Sequence, residues 1–124
     1  MLLVDDMELV GDEGIAHYHV TGDEFFVQGH FPGKPIVPGV ILCEIMGQGS
    51  SILIKEECEG RITLYSGLNE VRFKNPVVPG DTLTIKSKLS ARKGLVFFVD
   101  AACYVGDKLA AKGKLSFVLV DKDK

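Results

Sequence analysis

Between Val40 and Ile54 the chain is crowded with apolar residues: Val40, Ile41, Leu42, Ile45, Met46, Ile52, Leu53 and Ile54. Wound at helical pitch they cover most of the circumference, the pattern of a helix surrounded by protein rather than resting on a surface. The spacing predicts one long helix over about Pro38 to Lys55. Pro38 suits the first position, where a missing N–H is not needed. Gly47 and Gly49 lie inside it, and each costs on the order of 1 kcal/mol of helix propensity against alanine. Tertiary packing is therefore expected to hold this helix.

Elsewhere the period drops to two. Ile15 to Thr21 is β-rich, and Arg61 to Phe73 alternates in parts. Thr82 to Ser90 alternates cleanly, with Leu83, Ile85 and Leu89 on one side and Thr82, Thr84, Lys86 and Lys88 on the other. Leu95 to Val105 is apolar on both faces near Val96 to Val99, and Leu109 to Val120 closes the chain. Arg92-Lys93-Gly94 and Gly106-Asp107-Lys108 separate the last three strands at hairpin spacing. One buried helix followed by an antiparallel meander predicts an α+β domain, a sheet curled around a helix. Two proline-rich stretches, Pro32 to Pro38 and Asn75 to Asp81, read as irregular connections, because proline fixes φ and withdraws a donor.

Length and composition narrow the reading. The 124 residues match a single domain spanning 1–124, and 46% hydrophobic with 25% charged residues is ordinary for a globular protein. No run of eighteen apolar residues occurs, so no membrane span is expected. The start contains Asp5, Asp6 and Glu8 rather than the basic and apolar stretches of a secretory signal, which makes the cytoplasm the expected location. A net charge of −3 gives no basic stripe for nucleic acid. Cys43, Cys58 and Cys103 share no metal-ligand spacing and read as free thiols.

The polar side chains of the predicted helix are Glu44, Gln48, Ser51 and Lys55, spaced four, three and four, which puts them on one stripe. A carboxylate on a largely buried helix is expensive unless paired or hydrogen-bonded. Glu44 then either begins a solvated stripe favoured by the helix dipole or serves chemistry. His30 alone is the weaker candidate, since a lone histidine beside a loop is more often structural; what shifts the balance is the proline-rigid loop around it, which leads into a helix start with unpartnered N–H groups. Taken together they suit dehydration of a 3-hydroxyacyl thioester. A neutral imidazole takes the C2 proton near pH 7. A carboxyl group helps the C3 hydroxyl leave as water, and an amide at a helix start holds the charge developing on the thioester oxygen.

The stretch Gly29-His30-Phe31-Pro32-Gly33-Lys34-Pro35-Ile36-Val37-Pro38-Gly39-Val40, continuing to Glu44, resembles the active-site signature of the 3-hydroxyacyl-acyl-carrier-protein dehydratases. That pattern is His-Phe-Pro-Gly-x-Pro, two residues, Pro-Gly-Val, and an acid fourteen positions after the histidine. Similarity continues at Phe25-Phe26-Val27-Gln28-Gly29 and from Val71 to Asp81, so it covers nearly the whole chain. It implies a hot-dog fold and formation of enoyl thioesters on acyl carrier protein in type II fatty acid biosynthesis, without metal or other cofactor. His30 would be the base, Glu44 the acid, and Gly39 the amide that holds the thioester carbonyl. The resemblance also implies a homodimer whose subunits share each site, with trimers of dimers as a further assembly. Residues 31–37 stretch to about 23 Å when extended, so His30 need not meet its own Glu44. Glutamate at 44 favours the general dehydratase branch over the dehydratase–isomerase branch, which usually has aspartate. Where relatives read Ala-x-Ala-Gln, this chain has Ile45-Met46-Gly47-Gln48, and Asp6 stands where arginine is common.

The remaining candidates divide less clearly. His17 and His19 share one side of a strand, but no third metal ligand is evident. Cys43 lies about 100° round the helix from Glu44 and reads as an inert buried thiol. Arg72, Lys74, Arg92 and Lys93 form either a basic rim for an acidic carrier protein or ordinary surface charge, with Arg72 and Lys74 the first to test. A hot-dog thioesterase is one alternative, though it needs an attack on the carbonyl rather than a base at C2. A non-catalytic acyl-binding protein is the other, yet the acid–base pair is intact.

Overall fold

The computed structural model describes residues 2–22 and 36–122. Among the described residues there are six strands and one α-helix: β1 (Asp6–Val10), β2 (Glu13–His19), α1 (Gly39–Ser50), β3 (Arg61–Phe73), β4 (Thr82–Lys93), β5 (Val96–Val105) and β6 (Lys108–Asp121). A 3₁₀ turn over Ser51–Ile54 continues α1. All strand pairs are antiparallel, in the order β1-β2-β4-β5-β6-β3, with β1 and β3 at the edges. Tight turns at Gly94 (φ 62°) and Gly106 (φ 59°) join β4 to β5 and β5 to β6. Positive φ costs glycine little, which explains the residue at both reversals.

The expected α+β arrangement of a curled sheet around one helix is what forms. Alternation decides which side of each strand meets α1. Leu83, Ile85 and Ser87 of β4, and Phe97, Val99, Ala101 and Cys103 of β5, are buried, as are Leu115, Phe117 and Leu119 of β6. Against them α1 sets Leu42, Cys43, Ile45 and Met46. The helix lies flush on the sheet at Gly49, where an added Cβ would sit 2.9 Å from Cγ2 of Ile85 and 3.3 Å from the Ala16 Cβ. The glycine that weakens the helix by propensity is thus the residue that lets it approach.

Several details depart from expectation. The regular α-helix ends at Ser50, and the predicted last turn is 3₁₀. Val40 is 73% exposed, so the apolar positions do not bury the whole circumference of the helix. Leu89 shares a face with Leu83 and Ile85, in one register against β5, but is 42% exposed; that register slips only beyond it, between Leu89 and Ala91. Strand β1 was not anticipated. Every residue of it is exposed, so it carries no burial signature, and it exists through its ladder with β2.

Substituting Gly49→Ala sets a gain of about 1 kcal/mol in helix propensity against an overpacking penalty of about 1–3 kcal/mol. Ile85 is wholly buried and cannot yield, so a net loss of up to about 2 kcal/mol is expected in urea denaturation.

Candidate active site

The loop between β3 and β4 fixes the entrance to α1. The Lys74 and Asn75 amides donate to the Ala110 carbonyl, and the Asn75 side chain donates to the Leu109 carbonyl at 2.7 Å. The Asp81 carboxylate accepts from the Val78 amide. This braced loop then holds two other pieces of chain. The Val37 amide donates to the Val77 carbonyl at 2.8 Å, just before the helix. Val20 exchanges backbone hydrogen bonds with Gly80 and Asp81, just after β2. Both flanks of the 23–35 stretch are therefore rooted on one loop. His30 falls within that stretch and lies outside the described residues.

Helix α1 starts without a side-chain cap. The Ile41 and Leu42 amides both turn to the Pro38 carbonyl. The amide of Gly39 belongs to the first turn, where no intrahelical acceptor exists. That end carries partial positive charge and is suited to a developing oxyanion. The ring of Phe73, at the end of β3, lies over Gly39. A Cβ there would fall 2.9 Å from the ring's Cζ, so only glycine leaves the backbone open at this point. Phe73 itself is 54% exposed. Sequence reasoning did not single it out, because the contact joins residues far apart in the chain.

Glu44 sits half-buried, five residues further along α1, or about 7.5 Å along the axis. It lines a cleft of about 490 Å³ whose walls include Leu2, Val4, Met7, Ile54 and Phe117. Among the described lining residues Glu44 alone is ionisable. The predicted polar stripe is present: Glu44, Gln48 and Ser51 all face this cleft, while Lys55 is exposed. The Gln48 amide nitrogen donates to the Glu44 carboxylate at 3.2 Å, and its oxygen accepts from the Leu3 amide at 2.6 Å. The four-residue spacing of Glu44 and Gln48 sets them one turn apart on one stripe, within reach of the first bond, whereas nothing in the sequence pointed to the second.

A larger groove, about 680 Å³, lies on the opposite face of the sheet. It contains Arg72 and Lys74 together with Lys86, Lys88, Lys112 and Lys114, facing the carboxylates of Glu13, Glu70 and Asp100. Six cations against three carboxylates make it the basic side of an acidic chain. Glu70 adopts φ 52° at a register slip of β3 and pairs with Lys114 at 3.4 Å. Arg92 is placed elsewhere, over the Phe97 ring and against Glu57.

The other candidates have ordinary partners. His17 bonds Asp6 at 2.7 Å and His19 bonds the Thr82 hydroxyl at 2.9 Å. Burial pushes the Cys43 thiol up, and takes that of Cys103 to about 12. A raised thiol stays protonated at neutral pH and is a poor nucleophile. At pH 8 roughly one part in 10⁴ of Cys103 would be thiolate, as follows from its pKa. A maleimide reagent is accordingly expected to label the half-buried Cys58 in the native protein, and Cys43 and Cys103 only after unfolding, as read by peptide mass.

Comparison with known proteins connects these features. Residues 1–114 match the model of the FabA-like domain. A 3-hydroxyacyl-[acyl-carrier-protein] dehydratase FabZ of Streptococcus sanguinis is 43% identical over 122 residues, covering 96% of this chain and 87% of that protein. One from Clostridium kluyveri is 36% identical over 126 residues, covering 98% and 88%. Among solved structures, the fluoroacetyl-CoA thioesterase FlK superposes with a TM-score of 0.79 at 14% identity, over 95% of this chain and 92% of that one. That likeness shows the hot-dog fold alone.

Proposed function

The chain belongs to the FabA-like family, and from that premise we propose that it dehydrates 3-hydroxyacyl groups carried on acyl carrier protein, giving trans-2-enoyl thioesters in fatty acid biosynthesis. The observation that carries this reading is the placement of Glu44: the single ionisable group among the described residues of an apolar cleft, beside an uncapped helix start. In the proposed reaction His30 removes the C2 proton. Glu44 protonates the departing C3 hydroxyl, which leaves as water, and the Gly39 amide holds the enolate oxygen. Acid–base assistance of this kind typically contributes about 10²–10⁴-fold. Loss of one oxyanion donor costs about 2.7–4 kcal/mol. A thioesterase on the same fold lacks a use for a base and acid set for C2 and C3, and the 36–43% identity to dehydratases weighs against it.

We place the protein in the cytoplasm as a homodimer. No helix among the described residues is long and apolar enough to cross a membrane. Strand β3 supports the dimer: it is a thirteen-residue edge with Ile62, Leu64 and Leu68 about half exposed. Such an edge is a template for pairing with a second copy. The family's sharing of each site between subunits fits a histidine borne on a separate segment from Glu44.

His30→Ala and Glu44→Gln are each expected to lower turnover of a 3-hydroxyacyl thioester by at least about 10²-fold with the melting temperature retained. Mixing the two variants after dissociation and reassembly should restore activity, because a mixed dimer holds one intact pair. Full activity in either variant would remove that residue from the mechanism, and mixing without recovery would place both groups in one chain. A crotonyl thioester separates the reactions, since hydration marks a dehydratase and release of free thiol a thioesterase.

The carrier's acidic surface finds its complement in the basic groove. Arg72→Glu with Lys74→Glu is expected to raise KM for carrier-bound substrate about 10-fold at low salt, with the difference shrinking as salt rises. A short N-acetylcysteamine thioester should be turned over as by the unaltered protein.

A further inference from the structure

The outer groove sets two rows of side chains next to each other, and the rows are charged differently. In one, strand register brings Glu13 of β2, Lys88 of β4, Asp100 of β5 and Lys114 of β6 opposite one another. Carboxylate and ammonium alternate across the four strands, and Lys88 and Lys114 also pair with Asp12 at 3.8 Å and Glu70 at 3.4 Å. Two positions along each of these strands, the adjacent row reads Ile15, Lys86, Ala102 and Lys112, and on β3 Arg72. Where the first row has Asp100, the second has a methyl group. Among the described residues no carboxylate forms an ion pair with Lys86, Lys112 or Arg72. Like charges opposite one another on neighbouring strands are destabilising, yet Lys112 stands directly opposite Arg72.

We infer that the second row is a binding site for an organic phosphate, its phosphate group seated over the Ala102 methyl at the level where the first row carries Asp100. Lys86 and Lys112 flank that point from the strands on either side, each about 5 Å away across the ladder. Arg72 adds a planar fork that matches phosphate oxygens. Three cations around one point suit a group that is close to doubly charged at neutral pH, as a phosphate monoester is, better than the single charge of a carboxylate. The groove, at about 680 Å³, has the size of a small-molecule site and exceeds a bare phosphate several-fold. Tyr104, whose ring attracts the Lys86 ammonium at 5.5 Å, walls the space left for the organic part. The site goes beyond the dehydratase reading, although it shares Arg72 with the proposed carrier contact.

The experiment uses the whole chain, with pyrophosphate as the probe and calorimetry and melting curves as the readouts. Pyrophosphate is expected to bind saturably and, at about ten times its Kd, to raise the melting temperature by about 4 °C. Sodium chloride at equal ionic strength should not. Ala102→Asp places a carboxylate in the second row as Asp100 does in the first, and should abolish the shift. Without pyrophosphate it should melt above Ala102→Asn at low salt, because the two differ in charge and hardly in shape, and the gap should close as salt rises. Lys112→Gln is expected to weaken pyrophosphate about 10-fold, and Lys88→Gln, in the first row, by no more than about twofold. A shift that sodium chloride reproduces, one that survives in Ala102→Asp, or equal losses in Lys112→Gln and Lys88→Gln would overturn the inference. Turnover is not read in any arm, so either result leaves the roles of His30 and Glu44 as they stand.

Discussion

The whole arrangement depends on how close one helix can come to a curled sheet. At Gly49 the backbone of α1 meets Ile85 and Ala16 with no room for a methyl group. That contact fixes the depth of the helix, and depth fixes rotation, because Leu42, Ile45 and Met46 must reach the sheet at the same time. Once the apolar residues are committed, the polar stripe has one direction left. Glu44 and Gln48 therefore emerge into the cleft beside the amino-terminal residues and β6 as a consequence of packing on the other side of the same helix.

The starting end of that helix is set by different means. Pro38 supplies no side-chain cap, and the braced β3–β4 loop holds the incoming chain through Val77. The aromatic ring of Phe73 lies over Gly39, the first residue of the helix, where no side chain covers the backbone. A helix terminus with unspent donors near a half-buried carboxyl is chemically ambivalent on its own, and structurally similar folds host thioesterases. What resolves the ambivalence is family membership, carried by a match over residues 1–114. Fold and site thus come from different kinds of observation, as expected when many chemistries share one scaffold.

Much of this was legible before any coordinates. Alternation revealed β2, β4, β5 and β6 to within a few residues, because each buries one face and so carries a period of two, while β3, an edge strand with no buried residue among those described, was still legible from its partial alternation. Strand β1 escaped notice because it is only five residues long, all of them exposed, which is too short for alternation to show. Leu89 keeps the side that alternation gave it, opposite Val99, yet is 42% exposed, because the period along one strand does not tell where the covering elements end. In the site, the stripe from Glu44 to Ser51 follows from helical spacing. The contacts of Phe73 with Gly39 and of Leu3 with Gln48 join distant segments and have no local signature.

The common root of the 23–35 stretch carries an implication for engineering and for divergence within the fold. Val20 and Val37 are stapled to opposite ends of one short, internally braced loop. Sheet register, helix depth and the position of the helix terminus are thus each set by contacts among residues on either side of that stretch. A scaffold anchored in this way keeps its framework independent of what is spliced between the two anchor points.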